Sequence, residues 1–102
     1  MSWIDTFSPA TSTGTVNIAL STASQAVALT NVVSQTIRVF NDASVTTFVA
    51  FGSSTVTAST ASALPVAAGV TEVFRPNGNA TYVSAMVSSG AGVIYFTPGA
   101  GN

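Results

Sequence analysis

The stretch that decides the fold is Thr36-Ile37-Arg38-Val39-Phe40-Asn41-Asp42-Ala43-Ser44-Val45-Thr46-Thr47-Phe48-Val49-Ala50-Phe51-Gly52. Two runs rich in β-branched and aromatic residues flank Asn41-Asp42-Ala43-Ser44. Such runs favour a pleated, half-buried surface, and Asn and Asp bond locally to their own backbone where the chain turns. Strand, turn, strand is the reading, with Thr36–Asn41 and Val45–Gly52 as the arms of a hairpin. Side chains alternate across a strand, so Arg38 points away from the face that carries Ile37 and Val39.

The same pattern extends in both directions. Upstream, Thr15–Leu20 sets Val16, Ile18 and Leu20 on one face, and Ala26–Leu29 does so with Val27 and Leu29. Downstream come the short extended piece Leu64-Pro65-Val66, then Val70–Arg75, Tyr82–Val87 and Gly92–Thr97. Pro65 cannot donate to a ladder and belongs at an edge. Asn77-Gly78 is a tight-turn signal, and Ser88-Ser89-Gly90-Ala91 reads as the tip of a second hairpin. Nowhere does a window of helical length show an i, i+3, i+4, i+7 apolar stripe with caps.

These elements predict an all-β chain: a single β-sandwich, immunoglobulin-like or jelly-roll-like, of seven to eight short antiparallel strands with an extended N-terminal arm. Residues 1–14 form the arm, 15–98 the sandwich and 99–102 a flexible tail. The Ser/Thr/Ala-rich segment 53–63 is either an exposed loop or a weak edge strand.

Charge narrows the function. Asp5, Arg38, Asp42, Glu72 and Arg75 are the only charged residues, 5% of 102, with no Lys, His or Cys. An average soluble domain carries about 25%. A chain that gives up charge as its means of keeping neighbours apart is suited to association. Without His and Cys, the Ser-His-Asp and Cys-His arrangements cannot be built, and without Lys there is no Schiff base. Three dispersed acids do not make a glycosidase pair or a calcium loop. Neither cofactor nor metal is expected. Two Arg cannot supply phosphate affinity, so nucleic acid is not expected as a partner. The opening Met-Ser-Trp-Ile-Asp lacks a basic n-region, and no apolar run approaches membrane-spanning length, so neither an export signal nor a membrane partner is expected.

Several strands carry apolar side chains on both faces. Phe48 and Ala50 oppose Val49 and Phe51, Tyr82 and Met86 oppose Val83 and Ala85, and Val93 and Tyr95 oppose Ile94 and Phe96. A two-layer sandwich buries one face of each sheet. The second face is covered by loop 53–63, by the arm, or by another subunit. The arm holds an apolar cluster of its own, Trp3, Ile4 and Phe7, tethered by Ser8-Pro9 and Thr11–Thr15. Trp3, Ile4, Phe7, Phe40 and Phe48 are the expected partner-contact residues. Arg38 is expected to pair with Glu72 or Asp42 across the sheet.

Thr36-Ile37-Arg38-Val39-Phe40-Asn41 followed by Phe48-Val49-Ala50-Phe51-Gly52 resembles a segment of small tailed-bacteriophage virion proteins. Pro65-Val66-Ala67-Ala68-Gly69 leading into Glu72-Val73-Phe74 is similar to a Pro-x-x-Ala-Gly turn of the same group, as is the ending Tyr95-Phe96-Thr97-Pro98-Gly99. The resemblance covers roughly residues 16–99 and consists of turn and strand patterns. It implies a capsid decoration (cement) protein, made in the host cytoplasm and seated on the virion surface between major capsid subunits. That family offers no catalytic residues. The partner it implies is the major capsid protein, and self-association would be symmetric. A head-fibre, tail or adsorption component is the alternative within a virion. A carbohydrate-binding sandwich, stacking sugars on Trp3, Tyr82 and Tyr95, is the alternative outside it.

Overall fold

The computed structural model describes residues 8–9, 14–29, 36–76 and 80–100. They form nine strands and no helix: β1 (Ser8–Pro9), β2 (Val16–Leu20), β3 (Gln25–Ala28), β4 (Thr36–Asn41), β5 (Thr47–Gly52), β6 (Leu64–Val66), β7 (Thr71–Phe74), β8 (Tyr82–Val87) and β9 (Gly92–Ala100). Two antiparallel sheets pack face to face. The first runs β2-β9-β4-β7, with the two-residue β1 extending β2 along the same side of β9, and the second runs β3-β8-β5-β6. This is the expected β-sandwich.

The pairing is nested. β5 pairs β6, β4 pairs β7, β3 pairs β8 and β2 pairs β9. The chain is therefore one long hairpin, turned at 53–63 and rolled so that successive pairs fall in alternate sheets. That is the jelly-roll order, so the immunoglobulin-like alternative does not hold.

Nesting also corrects both expected hairpins. β4 lies in the first sheet and β5 in the second, so Asn41–Ser44 is a corner between layers and the two strands do not pair. β8 and β9 are split between the sheets in the same way. The facing of the side chains agrees with the alternation. Ile37, Val39, Val49, Val66, Val83, Ala85, Val87, Ile94 and Phe96 are all fully buried and form the core between the layers.

One residue ties the corner down. Asn41 is fully buried, and its amide answers several elements at once. Its Oδ1 accepts from the Ala43 N–H and the Thr47 hydroxyl, both at 3.0 Å. Its Nδ2 faces three carbonyl oxygens, those of Val45 and Val66 at 3.0 Å and Ala67 at 3.2 Å. Its backbone bonds Val70 O and the Gly69 N–H. The start of β9 fits against this corner closely. A Cβ on Gly92 (φ +155°) would overlap the Ala43 Cβ and lie 2.8 Å from the Ala43 Cα, so glycine is required there.

β9 runs three residues past the expected end at Thr97, so Gly99 and Ala100 belong to the sheet and not to a tail. The residue that suggested an end is Pro98, and the register explains its place. The Asp42 N–H donates to Val93 O at 2.9 Å, which makes Asn41↔Ile94 a pair that exchanges no hydrogen bonds. Counting along by twos, Ile37↔Pro98 is also such a pair. The missing N–H of Pro98 thus faces the other side of β9, in the gap between the pairings of β1 and β2, where no ladder bond is lost. The arm, expected to lack a partner within the chain, has one for part of its length: Ser8 and Pro9 pair with Ala100 and Gly99.

Candidate functional site

The outer face of the first sheet is open. Register places Arg38 beside Thr97 and Val73, and Phe40 beside Tyr95 and Thr71, all pointing away from the core. Phe40 and Tyr95 are direct neighbours across β4 and β9, and their rings stack with centroids 6.3 Å apart and planes 15° apart. Together with Arg38, Thr71 and Thr97 they line a shallow depression of about 280 Å³. Thr97 shares a 2.8 Å hydroxyl–hydroxyl hydrogen bond with Thr15, which fixes its side of the depression. The site therefore offers a flat aromatic surface, two hydroxyls, and an exposed guanidinium at the rim.

Arg38 does not form the expected ion pair. Glu72 stands opposite Val39, on the inward-facing side of the sheet, whereas Arg38 stands opposite Val73. One residue of register separates the two side chains by the thickness of the sheet. Asp42 lies past the end of β4, at the corner. Among the described residues, Arg38 has no acidic partner and its charge is presented to solvent.

The outer face of the second sheet is also apolar, and segment 53–63 covers part of it. Phe48, Ala50, Tyr82, Ser84 and Met86 point outward there by register. Segment 53–63 leaves β5 and crosses this face, for the Ala58 N–H donates to the Ser24 hydroxyl, beside the far edge strand β3, at 2.8 Å. Ala58, within the crossing, is buried, and Ser84 is fully buried although it faces outward. The segment is a loop, mostly exposed, and not an edge strand. Phe48, expected to meet a partner, is half-buried, as Phe40 is on the first sheet.

At the side of the sandwich where the edge strands β6 and β7 come together, the layers part. Phe51 and Phe74 meet at 5.9 Å, tilted by 55°. They line a mouth of about 320 Å³ with Val49, Leu64, Arg75 and Pro76. Leu64, at 45% exposure, is the most exposed large apolar side chain described.

Of the expected contact residues, Phe40 lies on the outer face of the first sheet and Phe48 on the partly covered outer face of the second. Trp3, Ile4 and Phe7 lie outside the described residues. Tyr95, read from sequence as a sugar-stacking candidate, is brought against Phe40. Tyr82 is on the other sheet and does not share that platform. Among the described residues no group of three His, Cys, Asp or Glu gathers that could hold a metal ion. No family model matches the chain, and neither a curated protein nor a solved structure matches it.

Proposed function

We propose that this chain is a non-enzymatic capsid decoration protein of a tailed bacteriophage, binding the outer shell and bridging major capsid subunits. The observation that carries this reading is the stacked Phe40–Tyr95 pair on an open sheet face, in a domain with only five charged residues. Ridding an aromatic side chain of water contributes on the order of 1.5–3 kcal/mol when burial is complete. Two half-buried rings gain part of that per copy, and binding to the assembled shell alone stabilises the shell by mass action. Arg38 at the rim gives the contact an orientation, since a guanidinium matches carboxylates and carbonyl oxygens on a facing protein. The Trp3–Phe7 segment adds a second contact to a neighbouring subunit, and symmetric self-association sets the spacing of copies.

The jelly-roll order is compatible with the reading without deciding it, because the same architecture occurs in viral shell proteins and in lectins. A second reading is favoured by the same depression. A flat aromatic pair flanked by the Thr71 and Thr97 hydroxyls and a guanidinium is also a surface on which a sugar ring stacks.

The deciding experiment is the copy number of this chain in purified virions, by quantitative mass spectrometry against the major shell protein. A ratio near one, or a simple fraction of it, is expected. A handful of copies would transfer the protein to a head fibre, the tail or an adsorption structure. Absence from virions together with a glycan-array signal lost in Tyr95→Ser would replace the reading by carbohydrate binding.

A further inference from the structure

The two sheets are bordered by β6 and β7 on one side of the sandwich and by β2 and β3 on the other. The first side is guarded against added strands. Pro65 in β6 lacks an N–H, and Glu72 in β7 is half-buried on the inward-facing side, so a strand joined there would enclose its carboxylate. The second side has neither device. Val16–Leu20 and Gln25–Ala28 hold no charge and no proline, and Asn17, Ala19, Ala26 and Ala28 are exposed. We infer that this side joins a second copy of the chain across a two-fold axis, with β3 pairing antiparallel to its own copy about Val27.

Register carries the inference. The Leu29 N–H donates to Thr81 O at 2.8 Å, so Leu29 and Val27 turn their backbone groups toward β8. By alternation Ala26 and Ala28 turn theirs to the open side, where nothing among the described residues pairs with them. The free groups are thus symmetric about Val27. With the two-fold axis at Val27, Ala26 stands opposite Ala28 of the second copy, and Ala28 opposite Ala26 of the second copy. Each of these pairs exchanges both of its N–H···O bonds. An unrelated strand satisfies one copy alone, whereas a second copy satisfies both edges in one contact and closes the assembly. The neighbouring edge obeys the same rule. Asn41↔Ile94 exchanges no hydrogen bonds, so Ile94 turns its backbone groups to Ile18, and those of Asn17 and Ala19 face outward, symmetric about Ile18. A four-residue edge by itself falls short of the roughly 1,000 Å² that a lasting interface buries, and the five residues of β2 in the other layer add a second ladder. The shell reading calls for symmetric self-association; the β2–β3 side gives it a surface, read from the edges alone, so copy number in virions and dimerisation in solution can fail separately.

Ala26→Pro removes one outward donor and no bond of the fold, since proline is tolerated where an edge N–H faces solvent. Sedimentation velocity of the full chain over a wide dilution series should show one copy passing to two as concentration rises. Ala26→Pro should stay at one copy throughout, with circular dichroism confirming that it keeps its sheets. Cysteine placement reads the register, because the chain has no cysteine of its own. Across the two-fold axis Ala26 stands about 5.5 Å from Ala28 of the second copy, within reach of a disulfide. Like-numbered residues stand about 8–9 Å apart, outside that reach. A mixture of Ala26→Cys and Ala28→Cys should therefore form disulfide-linked dimers at least tenfold faster than either variant alone. A natural chain that sediments as one copy up to its solubility limit would overturn the inference. So would self-association that Ala26→Pro leaves unchanged, which would place the contact on another face, or cross-linking as fast in a single variant as in the mixture, which would deny the register.

Discussion

Replacing Asn41 by Ala should remove a large part of the stability of this domain. The side chain can make four hydrogen bonds, two through Oδ1 and two through the hydrogens of Nδ2, which are shared among three carbonyls. At about 1 kcal/mol net per bond, and more for buried groups left unpaired, Asn41→Ala should cost about 3–5 kcal/mol. A domain of this size is stable by about 5–15 kcal/mol in total. Urea unfolding followed by far-ultraviolet circular dichroism reads the loss. With a slope of about 1–3 kcal/mol per molar urea, the midpoint should fall by about 1 M or more. Thr47→Val removes one donor and should cost about 1 kcal/mol. In the double variant the losses should sum to less than additive, because the hydroxyl orphaned by Asn41→Ala is gone as well. Asn41→Asp tests the same geometry by pH. Its second oxygen would replace Nδ2 and face three carbonyls, which favours the protonated acid in the fold and raises its pKa above the unfolded value of about 3.9. The stability carried by that acid is complete below the unfolded pKa and is lost as pH rises through the raised one, so this variant should gain on the natural protein under acid conditions. A cost below about 1 kcal/mol for Asn41→Ala, or an Asn41→Asp variant whose relative stability does not rise in acid, would refute the assignment of the corner to this side chain.

Other substitutions test the remaining parts. Gly92→Ala should lose at least about 2 kcal/mol, since the added methyl meets the Ala43 backbone and the φ is strained, and thermal unfolding checks it. Ser84→Ala should gain up to about 1 kcal/mol in the same assay, because the buried hydroxyl has no hydrogen-bond partner among the described residues. Tyr95→Ser should weaken shell binding by tenfold or more while changing the unfolding midpoint little; equal losses in both would mean that the ring supports the fold. Shell affinity of the natural chain should stay within about threefold as salt is raised, in a sedimentation assay, because so few charges are available for screening.

The inward side of β4 was legible, because Arg38 marks the other one: Ile37 and Val39 are core, and Arg38 and Phe40 are not; in β9, apolar on both sides, alternation separated Val93 and Tyr95 from Ile94 and Phe96 without saying which pair is core. Which strands pair was not legible. A turn such as Asn41–Ser44 records a change of direction and is silent on whether the next strand joins the same sheet. The partners of β4 are β7 and β9, the latter more than 50 residues away along the chain. The candidate site suffered for the same reason. Phe40 and Tyr95 could each be noticed, but their stacking needs the register, and the absence of an Arg38–Glu72 pair is a one-residue matter of register too. The end of β9 was hidden by Pro98, whose usual meaning is reversed here by the break between β1 and β2. The course of segment 53–63 was hidden as well, because its tie to the far edge is one bond to the Ser24 hydroxyl and its composition carries almost no pattern.

The position of β9 has a consequence for how this chain comes to exist. It is the ninth strand in sequence, yet it lies inside the first sheet, with β2 on one side and β4 on the other. The second sheet can be completed once β8 has been made, whereas β2 and β4 are left facing a gap the width of a strand until β9 arrives. A chain still under synthesis would thus present two open strand edges and half of its apolar interior. Nascent molecules of this protein should be the ones that seek chaperones or one another, and folding should be governed by the arrival of a strand and not by the closure of a turn.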